Sequence, residues 1–127
     1  MRNTIIYTTI LLIFTLILVS YGYIITNNKA DQLTSKLNTL EDNLVNNNWD
    51  TTRDNTESLN QAWEEASFTW SIFMDHNEID KLDLSISKII SLVELEKKDK
   101  ALTELKLAKE LARQIPTNEK IKIENIF

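Results

Sequence analysis

The chain is 127 residues long, with 14 Lys and Arg against 19 Asp and Glu, one His, one Gly, one Pro and no Cys. Without cysteine there are no disulfides, thiolate metal sites or cysteine nucleophiles, and so few Gly and Pro argue for long helices over a tightly turned β-sandwich. The acidic balance sets the chain against the phosphates of nucleic acid and against anionic lipid head groups.

The first element is Ile5 to Ile25 (IIYTTILLIFTLILVSYGYII), about 21 residues without a charge. As a helix it spans roughly 31 Å, the thickness of a bilayer's hydrocarbon core. Its Ile, Leu, Val and Phe residues contribute roughly −4 to −8 kcal/mol of insertion free energy. Tyr7 near one end and Tyr21 and Tyr23 near the other fall where an aromatic belt belongs. The apolar run exceeds the roughly 7–15 residues of a signal-peptide core, and no A-x-A-like cleavage site follows, so the segment is expected to stay as a signal anchor. Arg2 and the terminal amine precede it, whereas the first cation after it, Lys29, is followed at once by Asp31. The positive-inside rule then leaves residues 1–4 in the cytoplasm and residues 26–127 outside the cell membrane. That external part carries 13 − 19 = −6 charges once Arg2 is set aside.

The pattern continues as helix over 27–46, with Ala30, Leu33, Leu37, Leu40 and Leu44 spaced three and four apart. Nothing separates it from the anchor, so the two are compatible with one unbroken helix. Asn46, Asn47 and Asn48 favour a turn, since asparagine tolerates left-handed backbone. A second helix is expected over 49–74. Its stripe of Trp49, Thr52, Thr56, Leu59, Trp63, Ala66, Trp70 and Phe73 holds all three tryptophans. Two uses fit this stripe: a core seam filled by large rings, or an indole-lined groove for an apolar ligand or a partner helix.

Asp75 to Asp80 (DHNEID) reads as a tight junction in which Asn77 or Asp75 caps a third helix over 77–97, with Glu78, Asp80 and Asp83 placed well for the helix dipole. Ile79, Leu82, Ile86, Ile89 and Val93 form its apolar stripe. A fourth helix over 99–115 carries Ala101, Leu105, Ala108, Ala112 and Ile115, and Pro116 is expected to end it. The tail 117–127, with Ile121, Ile123, Ile126 and Phe127, is expected to pack on the bundle or to act as a docking peptide. Shifting the chain by 52 residues superposes Leu37 on Ile89, Leu40 on Leu92 and Leu59 on Leu111, which suggests two similar helical hairpins.

Little here points to chemistry. His76 has Asp75, Glu78, Asp80 and Asp83 nearby, but one histidine without cysteine makes a poor transition-metal site. Glu64 and Glu65 should face water. No nucleophile–base–orienter set suggests itself, and the one Gly lies in the apolar run, so there is no Gly-rich phosphate loop. Neither enzymatic activity nor a cofactor or bound metal is expected.

The run W-x6-W-x2-F-x-D-H-x-E-I-D (Trp63, Trp70, Phe73, Asp75, His76, Glu78, Ile79, Asp80), with the ending Glu124-Asn125-Ile126-Phe127, resembles a family of small single-anchor membrane proteins of spore-forming Gram-positive bacteria, a domain of unknown function. The resemblance covers most of the chain. It implies membrane anchoring, an external helical domain, no assigned activity and a partner in the membrane.

The expectation is therefore an all-α chain: an N-terminal transmembrane helix followed by an antiparallel bundle of about four helices. Its expected role is that of an extracytoplasmic accessory protein working through protein–protein interaction with another membrane or envelope protein. Trp63, Trp70, Phe73, Asp75, His76, Glu78 and Asp80 are the candidate binding residues. The alternative is a sensory ectodomain taking an apolar or metal ligand at the same junction, although only about four cytoplasmic residues remain to relay a signal.

Overall fold

A computed structural model describes the backbone of residues 1–126 and the side chains of residues 1–115. It is all-α: α1 (Arg2–Val45), α2 (Trp49–Phe73), α3 (His76–Glu94) and α4 (Lys98–Ile126). No strand occurs among the described residues.

The 44 residues of α1 form one helix about 66 Å long. Ile25 to Ala30 contain no Gly or Pro to interrupt it, so the apolar run passes directly into the first bundle helix. Its two halves have different surroundings. Up to Tyr21 every side chain is exposed except the half-buried Val19. From Gly22 onward one stripe is buried: Gly22, Thr26, Ala30, Leu33, Leu37, Leu40 and Leu44. The N-terminal part is long and apolar enough to cross a membrane, with a mean hydropathy of 2.2 over its apolar window.

The bundle is square. α1 packs against α2 and α4, and α3 packs against the same two helices, so α1/α3 and α2/α4 lie across the diagonals. The stripes read from the 3-4 spacing meet in its centre: Leu33, Leu37, Leu59, Trp70, Leu82, Ile89, Val93, Leu105 and Ala108 are all fully buried. Two threonines in the α2 seam satisfy their hydroxyls on their own helix, Thr52 donating to the Asn48 carbonyl (2.7 Å) and Thr56 to the Arg53 carbonyl (2.6 Å). Buried Ser85 of α3 donates to Glu104 of α4 (3.0 Å).

The α1–α2 and α3–α4 turns are the same device. Asn47 (φ 59°) and Glu96 (φ 54°) both take the left-handed conformation. In each turn the left-handed residue donates to the carbonyl three back, and its successor to the carbonyl five back: Asn47 to Leu44 and Asn48 to Asn43, Glu96 to Val93 and Lys97 to Leu92. This is the Schellman arrangement, which satisfies the last carbonyls of a helix. The two turns lie 49 residues apart, and the shift of 49 carries one seam onto the other. Leu33 falls on Leu82, Leu37 on Ile86, Leu40 on Ile89, Leu44 on Val93, Leu59 on Ala108, Trp63 on Ala112 and Ala66 on Ile115, all buried. The 52-residue shift is therefore corrected to 49. On a stripe spaced three and four apart, a slip of three still lands apolar on apolar.

The turns adjoin at the far end of the bundle. Lys98 donates to the Val45 carbonyl (3.3 Å) and to Asn47 Oδ1 (3.1 Å), a cation at the C-terminus of α1. Arg53 reaches Glu96 (2.8 Å). Midway, Lys109 of α4 pairs with Glu41 of α1. Burial lowers the Lys109 ammonium from its ordinary pKa.

α4 differs from expectation. The helix does not stop at Ile115 but runs across Pro116 to Ile126. Proline removes one backbone donor and crowds one carbonyl, and a long helix with intact turns on both sides can absorb that as a kink. A residue before proline marks a probable boundary only. The expected packing of Ile121, Ile123, Ile126 and Phe127 lies outside the described side chains. α3 also ends earlier than expected, at Glu94, because the left-handed turn at Glu96 closes it.

Candidate functional site

The seven candidate residues run from the second half of α2 through the junction into the first turns of α3, toward the end where the bundle meets the apolar half of α1. They separate into two groups with different surroundings.

Trp63 and Trp70 lie inside. Their ring centroids are 6.0 Å apart, with planes at 68°, an edge-to-face pair. Trp70 is fully buried and its indole N–H donates to the Thr26 carbonyl of α1 (3.3 Å). Trp63 is 4% exposed and its indole N–H donates to Asp83 of α3 (2.7 Å). Each ring thus fills core and uses its polar atom to tie α2 to a neighbouring helix. Of the two uses open to the tryptophan stripe, these side chains occupy the core seam.

The remaining residues form a rim. Phe73 is 44% exposed. One side of its ring rests on Gly22: a Cβ placed there would lie 3.1 Å from Phe73 Cε1. The chain's one glycine thus sits where another helix's aromatic ring approaches most closely. Met74 is extended and buried, turning the chain from α2 to α3. Asp75 then caps α3, its carboxylate accepting from the Asn77 N–H (3.2 Å). Of the two capping options it is Asp75 that serves. His76 and Asp80 are exposed, and Glu78 is half-buried. Among the described residues no three His, Asp or Glu side chains converge as a metal-binding group.

Other residues shape this end without belonging to the expected set. Asp83 anchors Trp63, and Lys29 of α1 reaches Glu65 (3.5 Å). Phe68 and Ile72, one turn apart on α2, are 73% and 65% exposed. Their i, i+4 spacing off the core stripe was visible in the sequence. The contacts of Asp83 and Gly22 were not, since each joins two helices across a turn and depends on how those helices pack. A separate groove of about 240 Å³ lies between α3 and α4, lined by Lys81, Leu84, Ser85, Lys88, Glu104, Leu107 and Leu111. Leu84 and Leu107 are 59% and 49% exposed there.

The molecule is thus a square four-helix bundle carried on an apolar N-terminal helix, with an aromatic core pair and an apolar rim where the two meet. The chain belongs to the family of the domain of unknown function DUF4363, whose model matches residues 20–126. The match begins two residues before Gly22, where α1 first enters the bundle core. No curated protein matches the chain, and no solved structure does.

Proposed function

We propose that this protein is a membrane-tethered accessory protein: α1 anchors it in the cell membrane, and the bundle binds another membrane or envelope protein on the outer side. The observation that carries this reading is the division of α1. Its apolar window is 6% buried, whereas the core helix of a soluble protein would be covered. The same helix, unbroken, becomes one wall of the bundle. Tethering is thus built into the fold, not attached through a flexible linker.

The orientation rests on charge. Arg2 precedes the apolar run, and the first cation after it, Lys29, is engaged by Glu65, so the positive-inside bias favours a cytoplasmic N-terminus. The setting implied by the sequence resemblance, a single-anchor protein of a Gram-positive bacterium, agrees with this.

With the indoles engaged inside the bundle, the partner surface falls to exposed residues. The α3–α4 groove suits it: Leu84 and Leu107 supply apolar area, and Lys81 and Lys88 favour a partner segment that is apolar with acidic flanks. The test is co-purification of the tagged full-length protein from gently solubilised native membranes, beside Leu84→Lys with Leu107→Lys. A stoichiometric membrane or envelope protein retained by the parent and lost from the variant is expected. A parent chain that purifies alone would contradict the accessory role.

A further inference from the structure

We propose that the C-terminal end of α2, through Phe68, Ile72 and Phe73, sits with Tyr21 in the outer edge of the lipid bilayer and seats the bundle directly on the membrane. This rests on the reading of α1 as an anchor and adds a second, protein-built contact with lipid.

Depth gives the first argument. The side chain of Phe73 touches Gly22, which lies three residues, about 4–5 Å, inside the end of the apolar run at Ile25. The end of α2 therefore stands level with the last part of the apolar segment. Length gives the second. The part of α1 before the bundle core, Ile5 to Tyr21, exposed except for the half-buried Val19, is about 17 residues or roughly 25 Å. That falls short of the roughly 30 Å hydrocarbon core. A short span is accommodated by thinning the bilayer or by drawing flanking residues into it, and here the flanking residues are the top of the bundle.

The chemistry of that top matches. Phe68, Ile72 and Phe73 are 73%, 65% and 44% exposed, and Tyr21 is 61% exposed. Placing large apolar rings in water is unfavourable, whereas the interface is where aromatic side chains collect. Glu65, one turn before Phe68 on the same side of α2, is held by Lys29 of α1. The apolar rim is thereby confined to the α1–α2 side. The α3 side carries Asp75, His76, Glu78 and Asp80, which suit head groups and water. The bundle should settle with its α2 side deepest, and on zwitterionic lipid, because the external part is acidic.

The protein lacks cysteine, so single cysteines report position cleanly. Leu12→Cys, Ile72→Cys, Phe68→Cys and Leu95→Cys chains are labelled with an environment-sensitive fluorophore. They are then reconstituted at full length in phosphatidylcholine vesicles and probed for emission shift and iodide quenching. Unchanged helix content shows that each exposed-site variant has folded. The expected result is blue-shifted emission and loss of quenching at positions 12, 68 and 72, with full quenching at 95. If position 12 is shielded while 68 and 72 quench like 95, the rim does not touch lipid and the proposal is overturned, with the anchor intact. If position 12 itself is quenched, the anchor reading fails and the proposal falls with it. If 68 and 72 are shielded in native membranes but not in pure lipid vesicles, a protein covers the rim, and the lipid contact is likewise overturned.

Discussion

The two helical hairpins share a frame and fill it differently. Related by a shift of 49 residues, they have the same turn, the same turn hydrogen bonds and matching buried positions along most of their seams. The first hairpin places Trp63 and Trp70 in its α2 seam. The second places Ala108, Ala112 and Ile115 along α4. Because α2 and α4 lie across a diagonal, a large ring on one is compatible with a methyl on the other. Each indole also carries an N–H that the alanines lack, and each N–H is matched to a specific acceptor. The frame asks only for apolar residues at the right period. The content of the first hairpin, by contrast, is specified by partners on other helices.

That contrast can be broken most forcefully at the rings. Trp70→Ala or Trp63→Ala should each cost about 3–5 kcal/mol, read by denaturant unfolding of the full chain in micelles. Adding Ala112→Trp to Trp63→Ala should not restore stability, because the moved indole overfills its new site and leaves Asp83 behind. Full recovery in the double variant would mean that volume alone matters and that the hairpins are interchangeable.

A smaller effect sharpens the comparison at the turns. Left-handed backbone costs most L residues about 1–2 kcal/mol, and asparagine less. Glu96→Gly should therefore stabilise the chain by about 0.5–1 kcal/mol, reduced by loss of the half-exposed Arg53 pair, which is worth little. Asn47→Gly should be neutral or slightly destabilising, since it removes an acceptor of Lys98. Equal responses at both turns would show that the shared geometry, not the residue occupying it, sets the cost.

Much of this frame was legible before any coordinates. Leu33, Leu37, Leu82, Ile86 and Leu105 are core because a 3.6-residue period puts them on one face. The Asn46–Asn48 turn followed from the backbone tolerance of asparagine. The extension of α4 past Pro116 was not legible, since one proline weighs less than the turns on either side of it. Nor could the sequence separate Trp63 and Trp70 as core from Phe68 and Ile72 as surface by residue type. All four are large and apolar, and it is their place on or off the 3-4 stripe that divides them. The seven candidate residues are close in space because they are close in sequence. Their acceptors and contacts, Asp83, Thr26 and Gly22, come from register.

The claim on which the functional account rests is that a membrane separates the two ends of α1. Single cysteines at Asn3 and at Leu95, introduced one at a time into the cysteine-free chain, can be challenged with a membrane-impermeant maleimide on intact protoplasts. Labelling at position 95 without permeabilisation, and at position 3 only after it, is the expected result. Labelling of position 3 but not 95 on intact cells, or release of the chain from washed membranes, would contradict the account.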